Sequence, residues 1–175
     1  MRECFGRLVY THKTHEKMAD ICNTNLTYAK YFQIFISGIT AVGAISILFT
    51  DQKSLKIGTA VISILSLWLS SYLKGFDPGG TAQRHRDTAA SLWPIRESYL
   101  SLLTDLRMQS ISEAEAGKMR DELQRKVAII YKAAPQTTSK AYAQAQVALK
   151  DNEEYTFSDA EIDCFVPSSL RKPKP

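Results

Sequence analysis

The sequence predicts an all-α protein, built around a two-span transmembrane helical hairpin with cytoplasmic helices on its N-terminal and C-terminal sides. Residues 31–50 and 57–73 contain no charged side chain, whereas the rest of the 175-residue chain is densely charged. No segment sustains the alternation of apolar and polar residues that marks a half-buried strand. Prolines, glycines and capping residues divide the remaining chain into helix-length segments.

The first element is a cytoplasmic helix, residues 1–30, which continues directly into the first span. This segment contains no proline and mixes charged with apolar residues, as an amphipathic helix does. Its main apolar positions are Leu8, Met18, Ile21 and Leu26.

The two uncharged runs have the length of membrane spans. Twenty helical residues reach roughly 30 Å, the thickness of the hydrocarbon core of a bilayer. The second run has seventeen residues, and Lys56 and Lys74 at its ends can extend it by snorkelling. The alternative is a soluble bundle that buries both runs at its centre. Apolar side chains surround the first run on every side, and the flanking segments offer too little apolar surface to cover it.

The segment between the spans sets the expected topology. Residues 51–56 (DQKSLK) predict a tight turn, so both termini lie on one side of the membrane. Basic residues are concentrated outside the spans, which by the positive-inside rule places both termini in the cytoplasm. The basic residues before the first span are Arg2, Arg7, Lys13, Lys17 and Lys30, and the first ones after the second span are Lys74, Arg84, Arg86 and Arg96, against Lys53 and Lys56 in the turn. Aromatic residues expected at that same interface are Tyr28, Tyr31, Phe32, Trp68 and Tyr72.

Residues 74–175 predict a cytoplasmic helical region with a flexible C-terminal tail. The segment KGFDPGG should end the second span, with a new helix near Thr81 that Pro94 kinks or breaks. Its apolar face comprises Ile95, Tyr99, Leu102, Leu103 and Leu106.

Capping signals define the later elements. Ser112 and Glu115 form a predicted capping box for a helix that Pro135 ends, and Ser158 with Glu161 repeats the pattern before a short last turn. The apolar stripe of the helix that follows Ser112 comprises Met119, Leu123, Val127, Ile130 and Ala134. Residues 137–151 predict a further helix with Tyr142, Ala145 and Leu149 inward, and residues 170–175 a disordered tail.

Catalytic and metal motifs are weak. His85, Arg86 and Asp87 spell the HRD of a kinase catalytic loop, but the glycine-rich loop and other kinase motifs are missing. His12 and His15 have a zinc-compatible spacing beside Glu16, yet no further ligands follow, which favours an exposed or interhelical role. The cysteines Cys4, Cys22 and Cys164 share no metal or redox spacing. We therefore expect no enzyme, no cofactor and no metal.

One anion site is conceivable after the second span. Gly79 and Gly80 precede a predicted helix whose free amides could bind a phosphate, and Arg84 and Arg86 follow within two turns. The alternative is a glycine linker followed by arginines that face lipid head groups. The net charge of +4 does not discriminate among a nucleotide, a nucleic acid and a lipid as the anionic partner.

Polar residues recur at helical spacing inside both spans. Thr59, Ser63, Ser66 and Ser70 form one line on the second span, and Gln33, Ser37, Thr40 and Ala44 form another on the first. Small and hydroxylated residues allow membrane helices to pack closely, which is the simpler interpretation. Alternatively, one line faces an aqueous path. Because two spans cannot enclose a pore, that interpretation requires several copies of the chain.

Taken together, these motifs resemble the SLATT domain. The resemblance rests on THKTHEKMAD in the first helix, two closely spaced spans, RHRDTAASLWPIRESYLSLLTDL, YKAAPQTTSKAYAQA, FSDAEID and VPSSLR. Proteins of this family are two-transmembrane effectors of bacterial nucleotide-dependent conflict systems of the anti-phage, CBASS type. They occur beside nucleotide-second-messenger synthases and ligand-sensing domains.

The resemblance implies a protein of the bacterial inner membrane that oligomerises on activation, forms a pore or disrupts the membrane, and arrests or kills the cell. It implies no catalytic residue. Its activator would be a cyclic nucleotide bound directly, with Arg84 and Arg86 as the first positions, or a separate sensor or nucleotidyltransferase protein; no nucleic acid is expected. The competing hypothesis is a non-conducting membrane anchor whose cytoplasmic helices recruit a partner.

Overall fold

The computed structural model describes residues 1–172, whose regular structure is entirely helical, as the sequence predicts. The elements are α1 (Arg2–Ile47), α2 (Lys53–Phe76), α3 (Pro78–Arg107), α4 (Glu113–Ala133), α5 (Ser139–Lys150), α6 (Asp159–Phe165) and a 3-10 turn at Ser168–Leu170.

Helix α1 is a single element of 46 residues. At 1.5 Å per residue it is roughly 70 Å long, more than twice the thickness of a hydrocarbon core. Its first half packs into a helical bundle, and its second half carries the first apolar run. The prediction that the N-terminal helix continues into the first run is therefore confirmed.

The chain reverses direction over residues 48–52, because α2 already begins at Lys53. The prediction that residues 51–56 are all turn is wrong in its second half. Gln52 adopts an extended backbone and acts as N-cap, and its carbonyl accepts the amide of Lys56 at 3.3 Å. Lys56 also forms an ion pair with Asp51 across this first turn of α2.

Helices α1 and α2 contact each other along one face. Gln33 Nε2 donates to Ser70 Oγ at 2.8 Å, and Gly43 lies so close to Thr59 that an added Cβ would be 2.5 Å from its Oγ1. The outer faces of both helices are uncovered. Only 6% of the apolar 18-residue stretch of α1 is buried, and none of the corresponding stretch of α2. Both helices are long and apolar enough to cross a membrane. No other part of residues 1–172 covers them in the way the soluble alternative requires.

The core of the bundle lies between the first half of α1, α3 and α4. It contains Leu8, Leu92, Ile95, Tyr99, Leu102, Ala116 and Leu123, all buried. Three of the five predicted apolar positions of α3 are thus in the core, while Leu103 and Leu106 are partly buried. On α4, Leu123 is buried, but Met119 is 45% exposed.

Helix α3 starts earlier than predicted and runs through its proline. Asp77, at φ 38°, accepts the Gly80 amide at 2.9 Å, and Pro78 fits the first turn because its missing N–H would have no helical partner. Of the kink or break predicted at Pro94, the break is wrong, since α3 continues to Arg107. Pro94 lies on the exposed side, where water can satisfy the freed carbonyl, and buried Leu92 and Ile95 anchor the helix on both sides.

The last helices confirm the capping signals and correct two side-chain predictions. Both predicted capping boxes form. On α5, which packs against α1, the buried residues are Ala141, Ala145 and Ala148. Tyr142 is instead 48% exposed, with its ring 5.9 Å from that of Tyr10. Leu149 is only half-buried.

The predicted disordered tail, residues 170–175, begins within the described part of the chain. Leu170 ends the 3-10 turn, Arg171 Nε donates to the Val166 carbonyl at 3.2 Å, and Lys172 Nζ pairs with Asp159 at 2.8 Å. Residues 173–175 lie outside the described part of the chain.

Candidate functional site

Most residues of the two predicted lines lie on the half-buried faces of α1 and α2. Thr59, Ser63, Ser66 and Ser70 of α2 are all half-buried, as are Gln33 and Thr40 of α1, whereas Ser37 and Ala44 are exposed. Several hydroxyls also donate within their own helix: Ser63 to the Thr59 carbonyl at 2.8 Å, Ser70 to Ser66 at 2.9 Å and Thr40 to Ile36 at 2.9 Å.

The four residues of the predicted anion site do not converge. The Gly80 amide already donates to Asp77, and Gly79 lies against Leu26. Arg84 donates to Thr81 Oγ1 at 3.1 Å and lines a groove beside the end of α4. Arg86 instead lines a cavity between α1 and α3.

That cavity, of about 600 Å³, is lined by several charged side chains, and we call it the polar chamber. It lies between the first half of α1 and the first half of α3, and a residue from the α5–α6 connection closes one side. Its polar lining consists of His12, Lys13, Glu16, Lys17, Asp20, Arg86 and Glu154, with Trp93 as its aromatic wall.

The α5–α6 connection, residues 151–157, reaches into this chamber, and we call it the strap. Glu153 takes a left-handed conformation, φ 49°, which directs the following residues toward α1. The Glu154 carboxylate then bridges two lysines, with Oε2 2.5 Å from Lys13 Nζ and Oε1 3.1 Å from Lys17 Nζ. Lys13 is 7% exposed, so this pair is held in a partly desolvated setting. The hydrogen bond from Lys13 lowers the pKa of Glu154.

Tyr155 follows in the strap and packs its ring among charged groups. Its hydroxyl donates to Glu16 Oε2 at 2.7 Å and lies 3.0 Å from His12 Nδ1. Because a phenol has one hydrogen, His12 must donate to the Tyr155 oxygen through an Nδ1–H tautomer. Lys13 Nζ and Arg96 Cζ lie 4.6 and 4.5 Å from the ring centroid, within cation–π range. Burial, with the hydrogen bond to Glu16, raises the pKa of Tyr155 to about 12.

Lys13 and Glu16 carry their charges despite burial. Desolvation opposes the Lys13 ammonium, but hydrogen bonds to Glu154 and Glu16 outweigh it and raise its pKa. Desolvation likewise opposes the Glu16 carboxylate, yet bonds from Tyr155 and Lys13 lower its pKa. The Glu154 carboxylate of the strap therefore balances the chamber, in which Lys13, Lys17 and Arg86 otherwise outnumber Glu16 and Asp20.

A histidine pair joins α1 to α3 beside the chamber. His15 Nδ1 lies 2.9 Å from His85 Nδ1, and the two residues are 3% and 1% exposed. His85 Nε2 is buried and has no partner within residues 1–172. We assign the Nδ1–H tautomer to His85. In this tautomer the unpartnered Nε2 carries a lone pair, whereas in the other it would carry a buried N–H without an acceptor. Burial lowers the pKa of His15 to about 4, with smaller effects from His85 and His12, and burial also lowers that of His85.

This geometry supports the interhelical alternative for the two α1 histidines. His15 turns to His85 and His12 to Tyr155, so the imidazoles do not converge on one point. Within residues 1–172 no three histidine, cysteine or carboxylate side chains group as a metal site.

Sequence reasoning missed the strap and its partners. It singled out His12, His15 and Glu16 on α1 and His85 and Arg86 on α3, but it did not connect the two groups. Glu154 and Tyr155 carry no local motif, and the only sequence signal for them is an acidic and aromatic pair in a short interhelical segment.

The comparison with known families agrees with the two apolar helices. Residues 1–161 match the SMODS and SLOG-associating 2TM effector domain family 4. No curated protein and no solved structure matches the chain.

Proposed function

Since the chain belongs to the SMODS and SLOG-associating 2TM effector domain family, which implies a membrane effector of conflict systems, we propose that it defends a bacterium against phage by permeabilising the inner membrane. On activation several copies would associate, open a path for ions and cause growth arrest or death. The observation that carries this proposal is the uncovered apolar surface of α1 and α2. The recognition of a SLATT domain from sequence motifs is confirmed by the family match.

The aromatic residues support a hairpin with both termini on one side of the membrane, and the excess of basic residues outside the spans points to the cytoplasmic side. Tyr31 and Phe32 are 68% and 57% exposed on α1, two residues or fewer from Gln33. On α2, Tyr72 stacks with Trp68 at 5.8 Å and with Phe76 at 4.6 Å. Since Gln33 bonds to Ser70, these aromatic groups lie at the same level, as expected of one membrane interface. In this topology residues 1–30 and 74–175 are cytoplasmic and residues 31–73 form the hairpin.

A pore requires the hydroxyl line of α2 to change its neighbours. In the single chain this line faces α1. There Gln33 donates a hydrogen bond to Ser70, and Gly43, which has no side chain, leaves room for Thr59. We propose that in the active assembly α1 and α2 shift so that the line Thr59, Ser63, Ser66 and Ser70 faces water between copies. Hydroxyls that already donate to their own helix keep an acceptor free for water or a hydrated ion.

The signal for this change would reach the membrane through the cytoplasmic bundle. The family's association with SMODS and SLOG proteins points to a nucleotide-related partner, either a cyclic nucleotide or a separate protein. The competing proposal is a non-conducting anchor that recruits a cytoplasmic partner; the exposed outer faces of α4 and α5 would suit it.

The test replaces the hydroxyls without adding bulk to the α1 contact: Thr59→Val with Ser63→Ala, Ser66→Ala and Ser70→Ala. The matched control is Ser71→Ala, because Ser71 makes the same bond to its own helix but is exposed off the line. Each protein is expressed to a high level in a bacterial host, so that mass action favours assembly.

Depolarisation is followed with a potential-sensitive dye, and membrane insertion by fractionation. We expect the wild type and the control to depolarise the cells and the fourfold variant to insert without doing so. A wild type that inserts without depolarisation rejects the pore and supports the anchor.

A further inference from the structure

We propose that the polar chamber binds a soluble anion bearing a phosphate group, and that Glu154 of the strap occupies the anion's position while the chamber is empty. The inference deepens the proposed function, on which it rests only in treating the bundle as the part that receives the signal. Binding itself can be measured on protein that conducts nothing.

The first step is the way Glu154 is held. Its two oxygens take separate lysines, Lys13 at 2.5 Å and Lys17 at 3.1 Å, so that one anionic group is gripped between two ammonium groups. This is the arrangement in which lysines bind a phosphate as point charges. A phosphate could replace the carboxylate with the same contacts and a larger charge.

The second step concerns Arg86, a cation of the chamber that does not pair with Glu154. Arg86 lines the same chamber, and it has no ion pair within residues 1–172. When Glu154 is withdrawn, Lys13, Lys17 and Arg86 face only Glu16 and Asp20, which leaves a net positive chamber. Glu16 is already satisfied by the Tyr155 hydroxyl and by Lys13. The chamber without its strap therefore favours an anion.

The third step concerns what holds the strap in place. It has no regular structure, and Glu153 takes a positive φ that is unfavourable for a side chain other than glycine. Helix α6 beyond it is loosely packed, since Ile162 and Phe165 are 44% and 83% exposed. The side chains of Glu154 and Tyr155 thus supply much of what holds this segment to α1.

The fourth step concerns the source of the phosphate. Lys17 lies 14 residues before the first span, roughly 21 Å along a helix. The head-group layer on each side of a bilayer is only about 5 to 8 Å deep. The chamber is therefore beyond the reach of lipid head groups, and a soluble phosphate compound is the ligand that its position favours. Trp93 on the chamber wall could stack on a base carried by such a compound.

The test uses the full chain in detergent with Trp68→Phe, so that Trp93 is the one remaining tryptophan. Inorganic pyrophosphate and then ATP, both without metal, are titrated while Trp93 fluorescence is recorded. We expect saturable binding of at least one probe. Glu154→Gln should bind about five- to tenfold more tightly, because a competing ion pair worth about 1 kcal/mol is lost.

Arg86→Gln and Arg84→Gln provide the matched comparison. They remove the same charge from positions two residues apart on α3, but only Arg86 lines the chamber. We expect Arg86→Gln to weaken binding about tenfold, as the loss of one charge-assisted contact implies, and Arg84→Gln to leave it unchanged. Equal weakening by both variants would overturn the proposal, as would the absence of saturable binding in both the wild type and Glu154→Gln.

Two further arms separate the remaining explanations. The titration is repeated in vesicles of phosphatidylcholine alone and with anionic phosphatidylglycerol; loss of probe binding only in the anionic vesicles would assign the chamber to a lipid head group and overturn the soluble ligand. Depolarisation is measured on the same variants. Binding without depolarisation supports the anion site and rejects the pore. Depolarisation without binding supports the pore and rejects the anion site.

Discussion

Acidification should loosen the contact between α1 and α3 through the His15–His85 pair. The two rings share a hydrogen bond in a buried setting, with His12 and Arg84 as the nearest further positive groups. Burial lowers the pKa of His15 from 6.5 to about 4. In the unfolded chain His15 is therefore protonated below about pH 6.5, whereas in the folded chain it is protonated only below about pH 4. Because the unfolded state binds more protons in this window, stability falls as the pH falls.

The size of the effect follows from the shift. The pKa of His15 moves from 6.5 to about 4, and each unit corresponds to about 1.4 kcal/mol, so the full loss approaches roughly 3 kcal/mol. Between about pH 7 and pH 5 the contribution of His15 alone is about 2 kcal/mol. In a chain of this length that lowers the unfolding temperature by about 4 to 8 °C. The partners of Glu16 and Glu154 lower their pKa values, so both stay ionised here.

The assay is thermal unfolding of the detergent-solubilised Trp68→Phe protein at the two pH values, followed by Trp93 fluorescence. The control is the double substitution His15→Leu with His85→Leu, since replacing both partners by apolar groups can be nearly neutral at pH 7. We expect the double variant to lose most of the pH dependence while His12 keeps a smaller share. The reasoning is refuted if the wild type unfolds at the same temperature at both pH values, or if the double variant keeps the full difference.

Two more predictions concern helix packing and capping. Gly43→Val should destabilise the α1–α2 pair by about 1–3 kcal/mol, because its side chain would collide with Thr59, whereas Gly38→Val meets open space and should be tolerated; circular dichroism on heating in detergent distinguishes them, and equal effects would contradict the packing argument. Asp77→Ala should cost about 1 kcal/mol, since the Gly80 amide at the start of α3 loses its acceptor, and Asp77→Asn should restore most of it; a urea midpoint unchanged by the alanine variant would argue against this cap.

The features that the sequence predicted correctly are those with local physical causes. An uncharged run of twenty residues identifies a membrane-length helix without reference to any other segment. The Ser112–Glu115 capping box likewise needs only four residues to form. The break considered at Pro94 does not occur, because the local rule against proline omits the tertiary burial of Leu92 and Ile95 on either side of it.

The polar chamber could not be predicted because its contacts are distant in sequence. Lys13 and Glu154 are separated by most of the chain, and His15 and His85 are 70 residues apart. Conversely, Arg84 and Arg86 are close in sequence, but a two-residue step turns a helix by about 200°, so they serve different surfaces. Helix periodicity alone also misplaced Tyr142 and Leu149, since the buried face of α5 consists of Ala141, Ala145 and Ala148.

The continuity of α1 is what makes the chamber relevant to the membrane. Lys13 and Lys17 in the chamber and Gln33 against α2 belong to one uninterrupted helix, which directly connects the chamber with the α1–α2 contact. A hydrogen bond between membrane helices is worth only about 0.6 kcal/mol on average. A ligand that binds the strap-released chamber tenfold better than the closed one supplies about 1.4 kcal/mol, which exceeds that contact. The chamber can therefore bias the α1–α2 contact without breaking the bundle core.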